Sequence, residues 1–215
     1  MDTLKHIKLF SLLPDKAIAA IQQKGMIRGY SANETILCEG DPDVPVSFIL
    51  NGKVRIYRTN PEGREQTLAY LDRGEVFNLP TAFMPKSTAP ASVSTEIETR
   101  LFNIPRNDFR DLAGSIPELA MAVMGDLSGK LEHLAELVHD VSLRSVRNRL
   151  ARFLLIQKQL PTQHDWTQEQ IAMQIGSTRE GVSRALKELA QLGVIKMQRH
   201  RILILDEQAL SKASE

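Results

Sequence analysis

One cysteine, Cys38, stands in 215 residues. A lone thiol excludes an internal disulfide framework, an all-cysteine metal site, and an iron–sulfur cluster held by the chain's own thiolates. Cys38 itself reads as a small, buried apolar residue. Long apolar runs are missing as well. No stretch reaches the roughly 18 uninterrupted apolar residues of a membrane span. The opening MDTLKHIKLF lacks the long apolar core of a signal peptide, so a reduced, cytoplasmic setting is expected. The sequence also lacks a nucleophile motif, a phosphate-binding loop and spaced metal ligands. Glu96 and Glu98 alternate along a strand-like run and are expected to face solvent. No enzyme and no metal site is indicated.

Neither sign of charge dominates: 27 Lys and Arg stand against 26 Asp and Glu. The average hides an asymmetry. Residues 143–215 hold 12 Lys and Arg against 7 Asp and Glu, whereas residues 1–142 hold 15 against 19. A basic end carried by an acidic remainder suits a DNA module on a domain that stays off DNA. The chain is 42% apolar and long enough for one or two domains with real cores.

The most informative stretch is WTQEQIAMQIGSTREGVSRALKELAQL, residues 166–192. Thr167 can cap a first helix, with Gln170 returning the bond as a capping box. Ile171, Ala172 and Ile175 share one helical face, and Gly176 ends the helix where positive φ is needed. Ser177 is expected to begin a second helix, with Glu180 closing a second box. Val182, Ala185, Leu186 and Leu189 form its buried stripe. Arg179, Glu180, Ser183, Arg184 and Lys187 lie around the other face. An ordinary helical hairpin with a charged face would show as much. The residues after Leu192 are more specific. Gly193-Val194-Ile195 stops the helix, and apolar runs 194–197 and 202–205 flank Gln198-Arg199-His200-Arg201. That reads as a β-hairpin with a basic tip, and the whole as a winged helix-turn-helix.

Earlier in the chain the pattern is different. Leu4, Ile7, Leu9, Phe10, Leu12 and Leu13 form a short helical pattern before Pro14, and Ile18 and Ile21 continue on a second helix ending at Gly25. From about Met26 to Ile104 the signals are short strands and turns. Asn51-Gly52, between SFIL and KVRIY, predicts a two-residue hairpin. Asn60-Pro61-Glu62-Gly63 marks another turn, and Gly40-Asp41, Asp72-Arg73-Gly74 and Pro85-Lys86-Ser87 punctuate the rest. Turns at this spacing predict an antiparallel sandwich or jelly roll of roughly eight strands.

Between about Pro117 and Val141 the spacing turns helical again. Ala120, Met124, Leu127, Leu131, Leu134, Val138 and Val141 step by four and three without a break, an a/d repeat over three heptads. A helix packed on its own sheet would carry a wider, less regular stripe. The spacing favours the seam of a homodimer, formed by Met124, Leu127, Leu131, Leu134, Val138 and Val141. Ser142–Arg144 is then the expected hinge. Val146, Leu150, Phe153, Leu154 and Ile156 open the helix beneath the winged module.

The segment GSTREGVSRALKELAQLGVI resembles the DNA-binding helix of the cyclic-AMP receptor and fumarate–nitrate regulator (Crp/Fnr) family of bacterial transcription factors. In that family an Arg-Glu pair, and a Ser-Arg or Gly-Arg pair four positions later, face the bases. Arg179, Glu180, Ser183 and Arg184 stand at the matching positions. Their chemistry fits: Arg can grip guanine O6 and N7 with two hydrogen bonds, and Glu can accept from cytosine N4. Thr167, Ser177, Thr178, Lys187, Arg199 and Arg201 are the candidates for phosphates. The strand-rich part is similar to the sensor domain of the same family. The resemblance implies an α+β chain in three parts. These are a β jelly-roll sensor over 1–115, a dimerisation helix and hinge over 116–143, and a winged helix-turn-helix over 144–215. It implies double-stranded DNA and RNA polymerase as partners.

The resemblance weakens at the effector pocket, assigned to Phe77, Asn78, Leu79, Ser87, Thr88, Leu131 and Leu134. Family members that bind cyclic nucleotides carry a Gly-Glu pair after the strand near Phe77, for ribose, and an Arg-Ser pair soon after, for phosphate. Here Asn78-Leu79 and Ser87-Thr88 take those places, with Lys86 but no Arg in the loop. Leu134 and Ala135 replace polar residues that would reach the purine. A buried phosphate without a charge partner is costly, so cyclic AMP is not the expected effector. Haem stays open, with His6, His133 and His139 as axial candidates and Met121, Met124 and Leu131 as apolar lining. His133 and His139 also fit a plain solvated surface, and His164 and His200 belong to the DNA module. The effector is thus unassigned. A haem-based gas sensor of the same fold, and an adaptor that binds no DNA, are the alternatives.

Overall fold

Eight short strands build the first part of the chain: β1 Met26–Tyr30, β2 Thr35–Leu37, β3 Val46–Asn51, β4 Lys53–Thr59, β5 Glu65–Asp72, β6 Val76–Phe77, β7 Ser92–Thr95 and β8 Thr99–Ile104. They pair antiparallel into two four-stranded sheets, ordered β1-β8-β3-β6 and β2-β7-β4-β5. Apart from the β4–β5 pair, sequence neighbours fall in different sheets, the jelly-roll habit that the turn spacing predicted. Side-chain alternation explains the two layers. Along β3, Val46, Phe48 and Leu50 enter a core covered by helices, while Ile49 enters the sandwich interior with Tyr30, Val54, Phe77 and Leu101. A strand buried on both faces reads as the unbroken run VSFIL. On β4, Val54 and Ile56 pack inward. Arg55 lies outside, bonded to Glu65 at 2.7 Å and 4.2 Å from the Tyr57 ring centre.

The computed structural model describes residues 2–63, 65–85, 88–159, 166–198 and 201–214. By their contacts these form two units, Met1–Gly129 and Lys130–Glu215. In the first unit, α1 (Asp2–Lys5), α2 (Asp15–Lys24), α3 (Arg106–Ser115) and the start of α4 (Pro117–Leu143) cover one sheet. Phe10, Phe48, Phe102 and Phe109 meet there, with the Phe10 and Phe48 centroids 4.6 Å apart. Helix α3 was not expected from the sequence pattern. Leu12, expected on the first apolar helical face, is 95% exposed, because it falls in the turn before Pro14 rather than on a helix.

Several local expectations change. Asn51-Gly52 does not form a two-residue hairpin, since β3 and β4 belong to different sheets and Asn51 pairs with Arg100. Gly52, at φ 101°, turns the chain from one sheet to the other, and a Cβ there would lie 2.6 Å from Thr99 Cα. The Asn60–Gly63 turn does form: the Gly63 N–H reaches the Asn60 carbonyl at 2.9 Å, and β4 pairs with β5. Glu96 and Glu98 are not on a strand but in the bend between β7 and β8, where Glu96 is half-buried 3.6 Å from Arg55. Cys38 is exposed, not buried. It follows β2 in a turn closed by its own N–H on Asp41 Oδ2 at 2.8 Å, and a turn apex has no covering layer.

Helix α4 is continuous for 27 residues, and the two units divide within it. It runs through Ser142 and Leu143, so the break is Arg144–Ser145, overlapping the expected hinge only at Arg144. The helix ladder persists because Arg144 N–H still reaches the Asp140 carbonyl at 2.9 Å. Ser145 then caps α5 (Val146–Gln159), its hydroxyl accepting the Asn148 N–H at 3.2 Å. Above α5 sit α6 (Gln168–Gln174), α7 (Arg179–Gln191), the pair β9 (Ile195–Gln198) and β10 (Arg201–Ile204), and α8 (Glu207–Lys212). Their core joins Leu150, Phe153, Ile171, Val182, Leu186 and Leu210. Ile156, on the same helix as Leu150 and Phe153, is exposed. Among the described residues no helix is long and apolar enough to cross a membrane.

Candidate nucleic-acid interface

Hydrogen bonds at the ends of α6 and α7 fix this site. Thr167 Oγ1 accepts the Gln170 N–H at 3.2 Å, and Gln170 Oε1 accepts the Thr167 N–H at 2.9 Å, a complete capping box. At the other end of α6, Gly176 takes φ 60°. Its N–H reaches Met173 O at 3.5 Å, and the Ser177 N–H reaches Ala172 O at 2.9 Å. That is a Schellman closure, and it absorbs Ser177 into the end of α6. The cap of α7 is therefore Thr178, whose hydroxyl accepts the Gly181 N–H at 3.1 Å. Ser177 is not the cap, and Glu180, at the second helical position, is one residue short of closing a box. A second closure ends α7: Gly193 at φ 71° with Val194 N–H on Leu189 O at 3.0 Å.

This one-residue shift leaves the faces of α7 intact. Val182, Ala185, Leu186 and Leu189 are buried. Arg179, Glu180, Arg184 and Lys187 are exposed and Ser183 half-buried. At about 100° per residue these five occupy an arc of about 140° opposite the buried stripe. Arg179, Glu180, Arg184 and Lys187 make no ion pair among the described residues. Thr167 and Thr178 use their oxygens as acceptors in capping, which leaves each hydroxyl proton available to donate. The wing pairs Gln198 with Arg201 and Ile195 with Ile204. Arg201 is exposed at its start. Arg199 and His200 lie outside the described residues.

The residue that sequence reasoning missed is Arg149. It is 7% exposed, the one buried charged side chain among the described residues. Its Nη1 donates to Arg144 O at 3.2 Å and Asp140 O at 3.5 Å, and its Nη2 to Gly176 O at 3.1 Å. The Asp140 carboxylate is held by Arg152 at 2.9 Å and Arg144 at 3.4 Å. A signal existed. Arg149 sits three residues after Val146 and four before Phe153, on the apolar stripe of α5, where an arginine needs a reason. Helix α8 was missed too, although Asp206 caps it on the Ala209 N–H at 2.9 Å.

The remaining candidates are scattered. Met124, Leu131, Leu134, Val138 and Val141 are exposed along α4, and Leu127 is half-buried. Phe77 enters the sandwich interior, whereas Leu79 enters the helix-covered core. Asn78, between them, is buried at φ 59° and donates to Pro45 O at 3.3 Å. These three do not line one wall, because Asn78 in the left-handed region turns the chain between two cores. Thr88 is exposed, and Lys86 and Ser87 lie outside the described residues. Leu131 and Leu134 belong to the second unit. No described charged side chain of the first unit is buried. His6, His133 and His139 are exposed, and no group of three or more His, Cys, Asp or Glu among the described residues could hold a metal.

Comparison with known proteins extends this picture. Residues 27–115 match the model of the cyclic nucleotide-binding domain, and residues 148–213 that of the Crp-like helix-turn-helix domain. The chain is 28% identical over 220 residues to a CRP-like cAMP-activated global transcriptional regulator of Mycobacterium tuberculosis, covering 98% of each. To the cyclic AMP receptor protein of Thermus thermophilus it is 31% identical over 173 residues, 79% of each. The solved catabolite activator protein of T. thermophilus matches at TM-score 0.57 and 26% identity, over 96% of this chain and 98% of that one. A CooA mutant from Carboxydothermus hydrogenoformans shares the fold at TM-score 0.75 and 22% identity, over 97% and 95%.

Proposed function

The chain belongs to the Crp/Fnr family of transcriptional regulators, and from that membership we propose a homodimer that reads an inverted-repeat DNA site through α7. One observation carries the reading: α7 opposes a buried apolar stripe with an arc of polar and charged side chains that make no ion pair among the described residues, near its capped N-terminus. The N-terminal half of such a helix is the part that reaches base edges. Arg179, Glu180, Ser183 and Arg184 take the base-reading role. Thr167, Ser177, Thr178, Lys187, Arg199 and Arg201 take the phosphates. The exposed stripe from Met124 to Val141 supports two-fold pairing along α4, since a coiled-coil seam left open in one protomer asks for a second. RNA polymerase is the expected partner at a promoter and the cytoplasm the expected setting. No catalytic role is assigned.

The M. tuberculosis and T. thermophilus relatives are named for cyclic AMP, and we propose that cyclic AMP is not the effector of this chain. A nucleotide phosphate needs a cation beside it, and among the described residues of the first unit no charged side chain is buried as a whole. A ligand without a buried anionic group, or haem, fits better; a regulator with no effector at all fits equally.

The test is selection from random double-stranded DNA by the full-length protein. An inverted repeat with half-sites roughly 34 Å apart, one DNA turn, is expected. Enrichment of no motif, or retention that does not fall with salt, would sink DNA reading and favour the adaptor.

A further inference from the structure

Gly176 stands at a crossing of two constraints. Its φ of 60° closes α6, and a Cβ there would lie 2.8 Å from Val141 Cγ2 and 3.0 Å from Leu137 Cδ1. The turn of the helix-turn-helix therefore rests directly on the last turns of α4. Arg149 ties the same two parts together from the side. One of its amino groups holds the Asp140 and Arg144 carbonyls at the end of α4, and the other holds the Gly176 carbonyl. Carbonyls in the last turn of a helix form the negative end of its dipole, and that of Asp140 takes the Arg144 N–H as well. A buried guanidinium with no carboxylate of its own is thus offset by backbone oxygens from both sides.

We propose that Arg149 is a positioning residue for DNA reading, which fixes the helix-turn-helix on the end of α4 and so sets the half-site spacing that the dimer accepts. The inference rests on the proposed dimeric, DNA-reading function. Gly176 lies two residues before Thr178, the cap of α7, so a shift of the Gly176 carbonyl moves the whole base-reading arc. In a dimer paired along α4, the distance between the two copies of α7 depends on how each is held to its own α4. The guanidinium is planar, with donors in a fixed fork, so it specifies direction as well as distance. A lysine ammonium can hold a carbonyl but imposes no such plane. Asp140 contributes from the other side: its carboxylate engages Arg152 and Arg144, and Arg144 Nη1 reaches Ser214 O at 2.5 Å. The end of α4, the start of α5, the helix-turn-helix and the tail of the chain meet at this one cluster.

The test uses full-length R149M and R149K on inverted repeats that share one half-site and differ in spacer length by single base pairs. Wild type should prefer one spacing sharply. R149M should keep the half-site sequence, lose about tenfold or more in affinity at the best spacing, and distinguish neighbouring spacings by about twofold or less. R149K should fall between. Retention of the wild-type spacing preference by R149M overturns the proposal, even with weaker binding and a lower melting temperature, since a purely structural role predicts that. If R149M does not fold, R149K decides by the same criterion. If neither folds, Arg149 is a folding residue and the proposal fails. Wild type selecting no inverted repeat would instead mark failure of the DNA-reading premise.

Discussion

Side chains on α7 divide by reach, and the division is measurable. Arg184 lies in the N-terminal half of the helix and Lys187 further along, on the same exposed arc. Arg184→Ala should cost roughly 1–3 kcal/mol on the selected site and relax preference at one base pair. Lys187→Ala should weaken all sequences alike and lower the salt slope by about two for the dimer, about one per half-site. Titration on matched and single-mismatch sites at several salt concentrations separates the two; the opposite result would exchange their roles. At Gly176, Ala would meet both a positive φ and the Val141 side chain, so thermal melting should show a loss of about 1–2 kcal/mol or more. Some of this was legible in the sequence. The Thr167–Gln170 box and Gly176 follow from residue chemistry alone. Thr178 did not, because Ser177 and Thr178 both satisfy a cap pattern, and only the backbone closure of α6 removes Ser177 from contention. Arg149 escaped because a search for apolar periodicity passes over a charged residue that shares the apolar face.

Elements were legible wherever spacing alone sets the answer. The a/d steps of α4 gave its span to within a few residues, and the exposed stripe lies where those steps put it. Replacing Leu131 and Leu134 with Lys should place like charges in the seam and yield monomers with little DNA affinity. An unchanged dimer by sedimentation would locate the pairing surface elsewhere. Elements failed where pairing is decided at long range. Asn51-Gly52 carries the local chemistry of a tight hairpin, yet Asn51 pairs with Arg100 on β8, nearly fifty residues away, because β3 serves a core that β4 does not. Helix α8 was invisible for another reason: its six residues carry one buried side chain, Leu210, too few for periodicity to register.

Across the whole molecule, charge and burial give the same division of labour. Basic residues outnumber acidic ones only from residue 143 on, and the sandwich interior of the other unit is apolar. Calorimetry on the full-length protein should therefore show no micromolar binding of cyclic AMP, and tight binding would overturn that assignment. The jelly roll, the long helix and the winged module were all legible from turns, heptads and caps. The effector was not, because a recognition pocket is specified by a handful of side chains rather than by a repeating pattern.

Because α4 ends inside the second unit, the place where the chain can be cut is not where its helices end. The helix-turn-helix family model begins at residue 148, beyond Leu137, Asp140 and Val141. A fragment starting at 144 would strip those three away, leaving Gly176 uncovered and Arg149 without one of its carbonyl anchors. A fragment starting at 130 keeps them. The longer piece should melt as one cooperative unit and resist proteolysis, and the shorter should melt earlier and be nicked near the bared turn. Equal melting of the two would mean that the last roughly four turns of α4 are a passenger on this unit rather than part of its foundation.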